Sequence, residues 1–129
     1  MTLEKLISNF ELFDDWEDRY SYLIDLGKKL PGLSDAEKTK ENRLYGCQSM
    51  IWMIIEQKGD ALHIRADSDS LIVRGLIAVL MIIFDGKTQE EIRGIDTHVI
   101  FKQLGLDKHL SLTRKNGLFS MVDRICWDV

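Results

Sequence analysis

The sequence has little cysteine and no long apolar run, which excludes several protein classes. Its two cysteines, Cys47 and Cys126, are distant and form no Cys-x-x-Cys pair, so neither a disulfide framework nor a dithiol redox motif is expected. The longest apolar run, Leu76 to Phe84, is far shorter than the ~20 residues that span a bilayer. No charged-then-apolar signal sequence opens the chain. We therefore expect a soluble, cytoplasmic protein with free thiols and no membrane partner.

Positive charge is also scarce in this sequence. The net charge is -4, and the lysines and arginines are scattered rather than clustered, so nucleic acid is not expected as a partner. The glycines form no Gly-x-Gly-x-x-Gly motif or P-loop, and the three histidines lack metal-ligand spacing. We expect no bound nucleotide, metal or other cofactor.

What remains is the composition of an ordinary folded domain. With 129 residues, 45% hydrophobic and 29% charged, the chain is long enough to build a core without a metal or a disulfide. Periodicity predicts one α+β domain over residues 1–129, with several helices packed on a small antiparallel sheet of about three strands. The predicted elements are two helices in the first thirty residues, a solvated connection over 33–43, a short strand near Leu44 to Gly46, a hairpin over 49–67, and helices over 71–84, 89–92, 97–104 and from about 116 onward.

The thiol of Cys47 is the first candidate for chemistry. It lies in Gly46-Cys47-Gln48-Ser49, directly before a predicted strand that is apolar on both faces, so helices or a partner must cover the second face. Gly46 permits a tight turn that presents the thiol, and such a thiol can act as a nucleophile. Alternatively, Cys47 is a small buried hydrophobe. Trp52 is either a core residue or part of a wall around a protected sulfur.

Two segments near the end of the chain contain further candidates. Arg114-Lys115-Asn116-Gly117 is either a solvated charged turn before the last helix or a polar contact to a partner that also helps to hold a thiolate. Cys126 lies between Ile125 and Trp127, and we expect it to pack as a small apolar residue.

Taken together, several motifs resemble one family. Gly46-Cys47-Gln48-Ser49 is followed by Ile51-Trp52, then by Asp67-Ser68-Asp69 leading into Ile72-Val73-Arg74-Gly75-Leu76, and finally by Arg114-Lys115-Asn116-Gly117-Leu118. With Trp16-Glu17-Asp18-Arg19-Tyr20 near the start, this order and spacing resemble the SufE family of sulfur-acceptor proteins over almost the whole chain.

The resemblance implies a fold similar to the iron-sulfur scaffold IscU and a role beside a cysteine desulfurase. In that role Cys47 takes persulfide sulfur from the desulfurase and passes it to an iron-sulfur cluster assembly complex, while Gly46, Gln48, Ser49 and Trp52 form its loop and pocket. Arg114 and Asn116 are then residues of the partner surface. The pyridoxal phosphate belongs to the desulfurase, and this chain is an activator and sulfur-transfer partner rather than a stand-alone enzyme.

Three functions remain open from the sequence. The chain is a covalent sulfur carrier on Cys47, a non-covalent regulatory adaptor of its desulfurase, or a homodimeric iron-sulfur carrier. The third is the weakest, because a self-sufficient cluster scaffold needs about four cysteine or histidine ligands and the chain has two cysteines.

Overall fold

Helices and one antiparallel sheet make up the protein in this computed structural model, which describes residues 1–45 and 49–127. The helices are α1 (Leu3–Glu11), α2 (Trp16–Lys28), α3 (Leu71–Phe84), α4 (Gln89–Arg93), α5 (Thr97–Leu104), α6 (Leu106–His109) and α7 (Leu112–Trp127). The strands are β1 (Arg43–Leu44), β2 (Ile51–Lys58), β3 (Ala61–Ser68) and β4 (Lys87–Thr88). The predicted α+β class is confirmed.

The sheet is built on the predicted hairpin. Strands run in the order β1-β2-β3-β4, all antiparallel, and β2 turns into β3 through two residues, of which Gly59 has a φ of 63°. Glycine adopts that conformation without strain. Because side chains alternate along a strand, Ile51 and Met53 of β2 face the helices and enter the main core, whereas Trp52 faces the other side.

Helix α3 is central to the core because it is apolar on most of its surface. It crosses α2 where glycines replace side chains: a Cβ on Gly27 would lie 2.6 Å from the Gly75 nitrogen, and a Cβ on Gly75 would overlap the Leu23 carbonyl. The two backbones therefore approach more closely than side chains would allow. None of the helices within the described residues is long and apolar enough to cross a membrane.

Three features depart from the predicted elements. The strand β4 and the short helix α6 were not predicted; each has only a few residues, too few to show a hydrophobic period. Helix α7 begins at Leu112 rather than near Asn116-Gly117, because the Ser111 side chain accepts a hydrogen bond from the Arg114 nitrogen at 3.3 Å. The cap is one of the residue types favoured at helix starts.

The connection over 33–43 is more ordered than the prediction of a solvated segment. It contains a short 3-10 helix (Asp35–Glu37), and Leu33 is buried. Its charged residues bind the outer face of the sheet: Glu37 pairs with Arg65 at 2.7 Å, and the Lys38 ammonium lies 5.3 Å from the centre of the Trp52 ring. This connection, rather than a helix, covers the outer face beside Trp52.

Candidate functional site

The predicted nucleophile and its two neighbours, Gly46, Cys47 and Gln48, lie outside the described residues. The chain on either side of them is described, and it ends at Tyr45 and resumes at Ser49. Leu44 of β1 pairs with Ile51 of β2, so the two flanks are brought together by adjacent antiparallel strands. The geometry of the candidate site is therefore that of its flanks and of the elements packed against them.

The flank after Cys47 is tied to the start of α3. The Met50 nitrogen donates to the Asp69 carboxylate at 3.0 Å, and the Asp69 nitrogen donates back to the Met50 carbonyl at 3.3 Å. Ser70 is the N-cap of α3, accepting from the Val73 nitrogen at 3.5 Å. Ser70 therefore caps α3, while Asp69 holds the strand that leaves the candidate loop.

A small cavity lies beside Ser49. Its volume is about 20 Å³, which is room for about one water molecule. Ser49, Thr113 and Arg114 supply its polar groups, and the rest of its wall is formed by Ile51, Val73, Leu76, Gly117, Leu118 and Met121. The cavity brings together the two segments that the sequence singled out separately, the one after Cys47 and the one around Arg114.

Arg114 is half-buried and lies in the first turn of α7. Its guanidinium carbon is 5.7 Å from the centre of the Tyr20 ring, which is within the range of a cation-π contact.

Asn116 is exposed two positions later and does not line the cavity. The interpretation of this segment as a turn before the helix is wrong, since it lies inside α7. Tyr20 belongs to the N-terminal motif but had no predicted role at the site; the signal that could have found one is the aromatic pair Trp16 and Tyr20, one helical turn apart.

Trp52 is not at the cavity. Ile51 lines it from one face of β2, and Trp52 points to the opposite face, where it is 8% exposed under Lys38. The structure therefore separates Trp52 from the groups around Ser49 and supports its interpretation as a packed residue.

A buried carboxylate, that of Asp67, stabilises the segments next to the candidate site. Asp67 is 3% exposed, accepts hydrogen bonds from the Leu33 nitrogen at 3.0 Å and the Ser68 nitrogen at 2.8 Å, and pairs with Arg74 and with Lys38 at 3.5 Å. Burial by itself would raise the pKa of Asp67, but these N–H groups and positive charges outweigh it and lower the pKa. The carboxylate therefore stays charged and links the connection after α2, strand β3 and helix α3.

The second thiol does not pack as expected. Cys126 is exposed, so the prediction that it behaves as a packed apolar residue is wrong. It lies near the end of α7, where the side chain has room to face solvent. Partial desolvation, followed by the charge of Asp123, raises the pKa of the Cys126 thiol, which makes it a weaker nucleophile near neutral pH.

The groups that could bind a metal are dispersed. Across residues 1–45 and 49–127, no three side chains of histidine, cysteine, aspartate or glutamate are arranged to hold a metal ion. Two of the three histidines contact aromatic rings: His109 stacks on Trp16 with the ring centres 4.8 Å apart, and His98 lies tilted beside Phe119 at 5.4 Å.

Comparisons with known proteins agree on one family. Residues 4–128 match the SufE family, described as an Fe-S metabolism associated domain. An uncharacterized SufE-like protein of Rhizobium meliloti is 45% identical over 128 residues, with 96% of this chain and 91% of the relative covered. A second one, of Rhizobium etli, is 44% identical, with 96% and 86% covered.

A solved structure supports the fold. The solution structure of a hypothetical protein from Thermus thermophilus superposes with a TM-score of 0.76 at 17% sequence identity, covering 98% of this chain and 94% of that one. At that identity the likeness concerns the fold and not the chemistry.

Proposed function

Because the chain belongs to the SufE family, whose domain is associated with Fe-S metabolism, we propose that it carries sulfur on Cys47. The sulfur comes from the persulfide of a pyridoxal-phosphate cysteine desulfurase and goes on to an iron-sulfur cluster assembly complex. The chain also stimulates the desulfurase by removing its persulfide. The pyridoxal phosphate stays in the partner, and this chain supplies the accepting thiol.

The transfer is a displacement at divalent sulfur. The Cys47 thiolate attacks the outer sulfur of the donor persulfide, the donor S–S bond breaks, and the donor cysteine leaves as a thiolate. One S–S bond forms as another breaks, so the step needs no external oxidant or reductant. A single thiol on the acceptor is sufficient.

The cavity beside Ser49 is the observation that carries the proposal. Two Cα–Cα steps separate Cys47 from Ser49, so their Cα atoms are at most about 7.6 Å apart. Ser49 lines this cavity, and its mostly apolar wall also contains the Arg114 side chain. A guanidinium favours an anionic sulfur, and a cavity of about 20 Å³ restricts the access of water and of reductants.

The surface around this cavity suits a protein partner. Three large apolar side chains on the elements that supply the candidate loop and the cavity wall are exposed: Tyr45 by 63%, Leu71 by 54% and Leu112 by 73%. Tyr45 directly follows β1, Leu71 is the first residue of α3 and Leu112 is the first residue of α7. Exposed apolar groups around a reactive residue are typical of a surface that a partner covers, and sulfur transfer requires such contact.

Intact-protein mass spectrometry tests the proposal. Incubation with a cysteine desulfurase and labelled cysteine is expected to add the mass of one labelled sulfur atom to the wild type and to Cys126→Ser, and nothing to Cys47→Ser. Cys126→Ser is the matched control, because it removes the other thiol and leaves the candidate loop unchanged.

The same variants distinguish the other functions. If Cys47→Ser accelerates the desulfurase as well as the wild type does, the chain is a non-covalent adaptor and the proposal fails. If anaerobic reconstitution with iron and sulfide gives a coloured dimer, the chain is an iron-sulfur carrier instead.

A further inference from the structure

Arg114 keeps its positive charge available at the cavity. It lines the cavity beside Ser49, yet no carboxylate among the described residues lies within ion-pair distance of it; its side chain contacts the Tyr20 ring instead. An arginine side chain has several rotatable bonds and needs a partner to stay in one place. A carboxylate partner would cancel the charge, whereas an aromatic face fixes the guanidinium and leaves the charge intact.

The Tyr20 ring is itself held by neighbouring rings. Trp16, one turn earlier on α2, meets Tyr20 edge to face at 6.5 Å, and the Trp16 ring stacks on His109 of α6 at 4.8 Å with an interplanar angle of 12°. The row of rings thus extends from α6 across α2 to Arg114 of α7. Such a row places Tyr20 in a defined position relative to the cavity.

We infer that Tyr20 is a positioning residue whose ring holds the Arg114 guanidinium at the cavity wall, where its charge acts on anionic sulfur at Cys47. The inference rests on the proposed role of Cys47 and adds to it a residue that supports Arg114. Tyr20 acts only through Arg114.

The test compares two alkylating reagents on one thiol. In a Cys126→Ser background, the rate constants of Cys47 with iodoacetate and with iodoacetamide are measured at one pH. Both reagents consume the same thiolate, so its fraction cancels in the ratio of the two rate constants. The ratio reports the charge that the iodoacetate carboxylate meets near the thiol.

Arg114→Met is expected to lower this ratio, because it removes a positive charge that attracts the iodoacetate carboxylate; a unit charge at ~7 Å in a water-like medium would give about threefold. Tyr20→Leu is expected to lower it similarly although the arginine is present. Tyr20→Phe, which keeps the ring, is expected to restore the wild-type ratio. The double variant Tyr20→Leu/Arg114→Met is expected to match Arg114→Met alone, because both changes remove one effect.

Cys126 provides a matched control thiol. It lies twelve residues after Arg114 on α7, which is about 18 Å along the helix and beyond the ~8–10 Å screening length of ordinary buffers. In a Cys47→Ser background, the ratio measured at Cys126 is therefore expected to be the same with and without Arg114. A change there would mean that the variants perturb the whole fold, and would overturn the inference.

The inference is also overturned if Tyr20→Leu keeps the wild-type ratio while Arg114→Met lowers it, or if neither change lowers it. If Tyr20→Leu does not fold, NMR of the wild type decides: a guanidinium over the ring shifts the Arg114 side-chain protons upfield, and unshifted protons refute the contact. Sulfur loading is measured separately. A correct ratio pattern without sulfur loading would refute the proposed function and leave the positioning of Arg114 standing.

Discussion

Replacing Asp67 with asparagine removes one negative charge from the most buried ion pair described in this protein. Asn keeps the size of the side chain but places an amide N–H₂ where Asp67 now accepts hydrogen bonds from Leu33, Ser68 and Arg74. Breaking a buried pair by removing one partner costs about 3–5 kcal/mol. The Arg74 side chain is 22% exposed, so we take the lower end, about 3 kcal/mol.

Urea denaturation measures this cost. With a slope of roughly 1.5 kcal/mol/M for a domain of this size, the midpoint is expected to fall by about 2 M. Glu56→Gln is the matched control: it removes the same charge, but Glu56 is 45% exposed and pairs with Arg65 at 3.6 Å, a contact worth less than about 1 kcal/mol. If Asp67→Asn shifts the midpoint no more than Glu56→Gln does, the Asp67 cluster does not stabilise the fold as described.

The same carboxylate predicts a pH dependence. The pKa of Asp67 is lowered in the folded protein from its ordinary value of 3.8, so its stabilising contribution is complete above that value and is lost as the pH falls through the lowered one. The difference in unfolding free energy between wild type and Asp67→Asn is expected to be constant near neutral pH and to shrink below about pH 4. A difference that is unchanged at pH 3 would contradict the role of the charge.

Two further changes test the packing and the flank of the candidate loop. Gly75→Ala is expected to lower the thermal midpoint strongly, because its Cβ would overlap the Leu23 carbonyl and overpacking costs about 1–3 kcal/mol or more. Gly94→Ala is the control and is expected to be neutral, since the atom nearest to its Cβ is 3.6 Å away. Equal losses in the two variants would refute the close crossing of α2 and α3. Asp69→Ala is expected to speed hydrogen exchange of the Met50 amide, which loses its acceptor. Asp69→Asn retains an oxygen and is expected to change the exchange rate much less. Equal rates in the two variants would show that the hydrogen bond does not hold this flank.

Much of the local structure followed from the sequence because it depends on near neighbours. The apolar run over 71–84 and the alternation after Ser49 correspond to α3 and to the β2–β3 hairpin. The run over 71–84 is too long for a typical core strand, whereas the hairpin alternates with a period of 2, so the two could be told apart without knowing what they pack against. The Gly46 to Ser49 motif likewise led to Cys47, whose role stays a prediction because that residue lies outside the described part.

Elements with few residues escaped prediction because they contain too little local pattern. β4 has two residues and α6 has four, and both are stabilised by contacts with distant segments rather than by a local pattern. The early start of α7 depended on a single serine cap, a signal that was outweighed by the apolar spacing after Gly117.

The sequence by itself determined the class of fold and the order of the main elements, and it indicated Cys47 as the candidate thiol, because residue type and spacing carry those signals. Only the tertiary structure decided what surrounds the candidate site. It placed Arg114 at the cavity beside Ser49, joined it to Tyr20, and put Trp52 on the opposite face of the sheet. These contacts join residues far apart in the chain, and their distances depend on how whole helices and strands pack together, which no local pattern encodes.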